Sequence, residues 1–274
     1  AETLISPGVL ARENDQSFVT SQPAERGAAI IGPTVLGPVE KPTLISSFSS
    51  YQAIFGGALK SGSNEYTYLT SIAANQYFQN GGSSLLVTRV TSGSFTSATS
   101  SEATNFSDTA GGSFTLETIS EGEIMNSTSP EGLQSSLTSG SADNLRWQIT
   151  AANTSSGVFS LAVRRGNDTS QRPVILETYN NISLDPFAAN YISRAIGDMT
   201  SNVKTEGSDT FLQESGSFRN ISSYIRVKEV LKPTPNYFNN DGSAKIEFTG
   251  SLPILQSGSF GAADGSNIPD GRPA

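Results

Sequence analysis

Neither cysteine nor histidine occurs in the sequence. Their absence excludes disulfides, thiolate nucleophiles, thiolate and imidazole metal ligands, and any Ser-His-Asp triad. A catalyst built from this chain would have to work with carboxylates, hydroxyls, Lys or Arg. Charge is sparse as well: Asp, Glu, Lys and Arg make up 15% of the residues, and the net charge is −8. Phosphate backbones are held by Lys and Arg, so direct nucleic-acid binding is not expected. No run of 18 apolar residues occurs, which excludes a helical membrane span. The opening Ala1-Glu2-Thr3 lacks the charged-then-apolar pattern of a signal peptide and reads as the product of initiator-Met removal. Direct membrane insertion is therefore not expected either.

What is present is length. The 274 residues suffice for one large domain or two ordinary ones, 35% are hydrophobic, and roughly a quarter are Ser or Thr. Residues 1–22 carry few core-forming side chains and read as an extended arm. Within Leu4-Ile5-Ser6-Pro7-Gly8-Val9-Leu10 the alternation is poor, and Pro7 removes a backbone donor. Such a segment has no core of its own and must lie on its own domain, lie on a neighbour, or be disordered.

A mixed α/β unit is predicted over 23–92. Ala28-Ala29-Ile30-Ile31 and Thr43-Leu44-Ile45 are short strand-like runs separated by Gly32-Pro33, Gly37-Pro38 and Lys41-Pro42. The serines of 47–50 offer N-caps to a short helix through Tyr51, Ile54 and Phe55 that stops at Gly56-Gly57. Leu69, Ile72, Ala73 and Tyr77 recur at helical spacing before Gly81-Gly82, and Leu85–Val90 is the clearest strand in the chain.

Residues 93–142 read as a Ser/Thr/Gly-rich insertion of weak β structure, polar enough to lie on an outer face and add little core. Within it only 113–119 alternates with period two. A β-rich protruding domain with one helix follows over 143–232. Strand patterns fall at 145–149, 158–163, 174–179 and 223–227, a turn at 164–168, and a helix from the Asp185-Pro186 cap to Gly197. Residues 233–274 resemble a linker leading toward a further C-terminal domain. The expected class is α+β: a mixed β-sheet domain with flanking helices, the protruding β-rich domain and the arm.

Candidate chemistry is thin. Glu117, Glu121, Glu123 and Glu131 cluster, and two carboxylates at the right separation hydrolyse glycosides. No aromatic or cationic platform accompanies them, which favours a solvated acidic loop. Asn240-Asp241-Gly242 lacks the spaced oxygen ligands of a calcium loop and reads as a turn. Six Asn-x-Ser/Thr triplets are about what this composition produces by chance. The loop 32–42 has no phosphate-cradle pattern, and Gly-Ser-Phe recurs four times at irregular spacing. Arg164-Arg165 is a basic spot readable equally as an inter-subunit salt-bridge donor or as strand-end charge. No catalytic residue, metal ligand or cofactor site is assigned.

Several segments taken together resemble the tail sheath proteins of contractile-tailed bacteriophages. Leu4-Ile5-Ser6-Pro7-Gly8-Val9 with Glu13 is similar to that family's N-terminal Ser-Pro-Gly-Val segment. Ala28–Thr34 with Gly37-Pro38 and Lys41-Pro42 resembles its punctuated first strand and loop. Phe55-Gly56-Gly57, then Tyr77–Gly82 running into Leu85–Val90, is similar to its helix, double glycine and strand. The segment from Glu177 to Pro186, with Asn190-Tyr191-Ile192, resembles the stretch that leads into its next helix. These segments fall in family order over about half of the chain, and residues 1–90 look closest to the sheaths of large, cyanophage-type myoviruses.

The resemblance implies a structural protein of the virion rather than an enzyme, assembled in the host cytoplasm. Subunits would form hexameric rings in a helical tube around the tail tube, with baseplate and tail terminator proteins as further partners. Arms containing Leu4, Ile5, Pro7, Gly8, Val9 and Leu10 would exchange strands between subunits. Contraction would drive the tube through the host envelope for genome delivery. Family members carry a C-terminal inner-wall domain without a counterpart in these residues. A secreted β-rich carbohydrate-active enzyme or adhesin is the alternative that the composition leaves open.

Overall fold

Strands dominate the computed structural model, which describes residues 27–61, 64–93, 95–107, 111–127 and 131–261. The class is α+β, as the sequence predicts. The arm residues 1–22 lie outside the described residues.

The first elements are β1 (Ala28–Gly32), β2 (Thr43–Ile45), α1 (Phe48–Phe55), β3 (Ala58–Ser61), β4 (Asn64–Thr67), α2 (Leu69–Gln79) and β5 (Leu85–Arg89). β5 is central in a three-stranded sheet, parallel to β1 and antiparallel to β2, while β3 and β4 form a separate hairpin. The Ser47 side chain caps α1 by accepting from the Ser50 amide at 3.1 Å. Inside the unit Tyr51 and Phe55 of α1, Ala74 of α2, Ile45, Leu85 and Val87 form a small core. The alternation of β5 places Leu85 and Val87 inward and Leu86 outward.

The remaining elements are β6 (Ser97–Ser100), β7 (Phe114–Glu121), β8 (Leu145–Asn153), β9 (Val158–Arg165), β10 (Ile175–Ser183), α3 (Ile192–Ile196), β11 (Thr200–Glu206), β12 (Asp209–Ser215), β13 (Ile225–Val230), α4 (Ile246–Thr249) and β14 (Gln256–Gly261). Seven of these strands make one antiparallel sheet in the order β10-β9-β8-β14-β6-β7-β13, curled into a half-barrel. β14 joins its halves: Gln256–Ser259 pair with β8, and Phe260 and Gly261 pair with β6. The concave core stacks Phe114 on Phe159 with ring centroids 5.5 Å apart, and the Trp147 ring lies 6.4 Å from that of Phe114. Burying each such ring stabilises the fold by about 1.5–3 kcal/mol.

Four expectations are corrected. First, 93–142 is no polar insertion of little core. It supplies β6 and β7 to the large sheet, and Ala98, Phe114, Leu116 and Met125 are buried. The Ser and Thr residues hid this because β7 alternates strictly, burying one side chain in two. Second, 233–261 is not linker. It ends in β14, whose Phe260 is fully buried. Gly258 is a requirement of that position: an added Cβ would lie 2.6 Å from the Trp147 ring.

Third, the helix from Asp185 shortens to Ile192–Ile196. The Asp185 side chain and carbonyl instead close a turn by accepting from Phe187 and Ala188, and Asn190 accepts from Ser183 of β10. Tyr191 is held in a bridge to Ser183, so helical geometry begins only after it. Fourth, α2 buries its Thr70, Ser71 and Ala74 side and leaves Leu69 (82% exposed), Ile72 and Ala73 outside, so that of the predicted apolar face Tyr77 alone packs against the core. Close approach explains the choice. Gly32 of β1 packs against Thr70, where a larger pair would not fit.

Candidate assembly surface

The small unit is fastened to the half-barrel through the loop that follows β1. Gly37 has φ +115, and a Cβ there would meet the Phe55 ring, so the sharp turn requires glycine. Its amide donates to Ser120 Oγ at 2.5 Å, and its carbonyl accepts from the Glu121 amide at 3.2 Å and from Arg89 Nη1 at 2.8 Å. Arg89 Nη1 also donates to the Glu121 carbonyl at 2.8 Å. Lys41 Nζ meets Glu121 Oε1 at 2.5 Å. The sequence shows Arg89 only as a member of a strand. Its role arises because β5 ends where the loop and β7 converge.

A second polar cluster lies under β8 and β9. Asp168, fully buried, accepts from Arg164 Nε at 2.8 Å and Nη2 at 2.9 Å, from Arg146 Nη1 at 3.0 Å and from the Val174 amide at 2.9 Å. Arg146 also pairs with Glu131 and donates to the Ser135 carbonyl. Arg164 Nη1 donates to Gln148 Oε1 at 2.7 Å. The structure thus separates the two predicted basic residues. Arg164 is buried and committed to its own chain, whereas Arg165 is half-buried beside a cleft. The acidic-loop reading is also corrected, because Glu117 pairs with Arg226, Glu121 with Lys41 and Glu131 with Arg146. Residues 240–242 form a turn in which Asp241 Oδ1 accepts from Ser243, and these hydrogen bonds hold the Asp241 carboxyl below its ordinary range.

The cleft, of about 470 Å³, lies between α1 and the half-barrel and is lined by Gln52, Glu65, Asp143, Arg165 and Tyr224 among others. Desolvation raises the Asp143 carboxyl despite the nearby Arg165 charge, and it raises the Tyr224 phenol as well. Glu177 is fully engaged beside it, accepting from Tyr179 Oη at 2.8 Å, Ser222 Oγ at 2.5 Å and the Ser223 amide at 2.9 Å. Burial raises the Tyr179 phenol, and the Glu177 charge adds to the effect. Burial pushes Tyr51 up to about 12. Through its bonds to Ser222 and Ser223, Glu177 ties β10 to the segment before β13.

Apolar surface is concentrated elsewhere. The outward face of the three-stranded sheet carries Ile31, Leu44 and Leu86, with Leu44 opposite Leu86 in register. β11 and β12 form a seven-rung hairpin that the sequence reading missed. Its strands are almost wholly exposed, including Val203, Phe211 and Leu212, so no alternation tied to a core marked it. Between this hairpin and the edge of β2 that is unpaired among the described residues runs a groove of about 370 Å³ lined by Leu44, Ile54, Leu212 and Ile221 and by Lys41, Glu214, Arg219 and Arg226 among others.

No family model matches the chain, and no curated protein sequence matches it. Solved structures similar to it include two sheath tail proteins. A sheath tail protein of Desulfitobacterium hafniense is 13% identical, the match covering 82% of this chain and 39% of that one, with a TM-score of 0.27. A sheath tail protein of Listeria innocua is 10% identical, the match covering 77% of this chain and 35% of that one, with a TM-score of 0.31. The chain therefore spans well under half the length of either.

Proposed function

We propose that these residues belong to a contractile tail-sheath subunit, a structural protein that polymerises helically around a tail tube and contracts to drive the tube through a host envelope. The observation that carries this reading is the ordered set of sheath-like segments in the sequence. Those between 28 and 90 coincide with β1, the Gly37 loop, α1, α2 and β5. Several of their residues are ones that the packing demands. Gly32 lies against Thr70, Gly37 against Phe55, Gly56 against Val35 and Gly82 against Tyr77, where side chains would collide.

The subunit would repeat as hexameric rings, contact the tube, baseplate and terminator proteins, and reside in the virion after assembly in the host cytoplasm. Its arm, with Leu4, Ile5, Pro7, Gly8, Val9 and Leu10, links subunits by strand exchange while they move as rigid bodies. Catalysis plays no part in this. Three of the four clustered glutamates of the glycosidase alternative are held in ion pairs within the fold.

Electron microscopy of the expressed chain tests the reading. Rings or tubes are expected, and monodisperse particles at every concentration would count against it. Removing residues 1–20 should leave folded subunits that no longer form long tubes, whereas normal tubes from that variant would refute the arm.

A further inference from the structure

The buried arginines have partners within the fold: Arg89 holds two carbonyls, Arg146 and Arg164 share Asp168, and Arg226 pairs with Glu117. Arg165 differs. Successive side chains of β9 point to opposite faces, so Arg164 reaches Asp168 while Arg165 lines the cleft between α1 and the half-barrel. Among the described residues the Arg165 side chain makes no ion pair or hydrogen bond, and its Nε is buried without a partner. A half-buried guanidinium in this condition is costly, because its charge is partly desolvated and its donors are unspent. Two carboxylates share the cleft without resolving this. Asp143 lines it but forms no ion pair with Arg165, and Glu65 stands on the exposed strand β4. The Arg165 charge lowers both the Asp143 carboxyl and the Tyr224 phenol against their desolvation, so these three groups stand close together.

The rest of the lining is largely apolar, with Leu36 and Ile54 on one side and Ile119, Met125, Leu145 and Leu176 on the other. The volume of about 470 Å³ falls within the range of small-molecule sites, roughly 300–1,000 Å³. We infer that this cleft binds a small carboxylate with an aliphatic body, its carboxylate on the Arg165 guanidinium beside the Tyr224 hydroxyl and its chain on the apolar lining. Charge and shape both favour this class. A guanidinium presents a planar fork of donors that matches a carboxylate. An inorganic anion would leave the apolar lining uncovered, and an uncharged lipid would leave the guanidinium unpaired. Glu65 is the rival partner within the chain. Its side chain is exposed and hydrated, and pairing would require the β3–β4 hairpin to move toward Arg165. Asp143 opposes a ligand of its own sign, which gives the test its direction.

Calorimetric titration of the full chain with octanoate tests this, with acetate, octanol and octylamine as comparison probes. Saturable binding of octanoate is expected, roughly tenfold or more tighter than any of the three. Arg165→Gln should weaken it by roughly tenfold or more. Asp143→Asn removes a like charge beside the ligand and should tighten it by about two- to fivefold. A gain in affinity cannot come from a damaged fold, so this second variant decides the matter even where the first folds poorly. No saturable binding of octanoate would overturn the inference. So would acetate or octylamine binding as tightly as octanoate, or octanoate binding that survives Arg165→Gln. Binding that appears only in Glu65→Gln would overturn it as well, because the hairpin carboxylate would then be the partner of Arg165.

Discussion

Arg89 Nη1 lies 2.8 Å from the carbonyl oxygen of Gly37, 52 residues earlier in the chain, and 2.8 Å from that of Glu121. One side chain therefore holds the end of β5, the loop after β1 and the end of β7. Arg89→Met is expected to remove the charged donor from both carbonyls, of which that of Gly37 keeps the Glu121 amide, at about 1–3 kcal/mol in all. Urea denaturation should show this loss. Lys41→Met, which removes a partly exposed ion pair, should cost much less.

Asp168 joins Arg146 and Arg164, all three buried. Asp168→Asn removes the carboxylate, leaves the interior Arg164 guanidinium uncompensated and leaves Arg146 with Glu131 alone, so a loss of about 3–5 kcal/mol is expected. Glu131→Gln should be milder because that carboxylate retains access to water. Equilibrium unfolding of the two variants distinguishes them.

The Asp143 carboxyl is raised by desolvation, so the fold favours its protonated form. Its favourable contribution is complete below the ordinary aspartate pKa and is lost as pH rises through the higher value in the folded state. Asp143→Asn is therefore expected to raise the melting temperature at pH 7. The gain should fade in acid, below the ordinary aspartate range. Thermal unfolding followed across that interval gives the sign directly.

Gly258 lies against Trp147, and a methyl group there overpacks the sheet centre. Gly258→Ala should cost about 1–3 kcal/mol. Because Trp147 is the only tryptophan, its fluorescence should report the disturbance without interference from other sites.

Deleting residues 93–140 is expected to abolish cooperative folding, since it removes β6 and β7 and with them Phe114 and Leu116. Circular dichroism and heat-induced unfolding would show this. A cooperatively folding deletion variant would contradict the seven-stranded sheet.

Local patterns were readable where one residue type has one physical meaning. The Ser47 cap, the Gly56 stop, the alternation of β7 and the apolar run of β5 all follow from preferences acting within a few residues. The missing cysteine and histidine excluded whole chemistries. Other features depended on partners far away in the chain. Serine and threonine in β6 and β7 serve a core because every second residue turns inward against β13 and β14. Phe260 completes that core from a segment whose Gly and Ser content suggested a linker. Arg164 was indistinguishable from Arg165 until the turn at 166–169 brought Asp168 beneath one of them. Sequence alone determined the short-range conformational choices and the excluded chemistry. Tertiary structure decided which polar residues became interior and which apolar ones, such as Leu44 and Leu69, stayed outside. Burial is settled by what packs against a residue, and at those positions the neighbours come from distant parts of the chain.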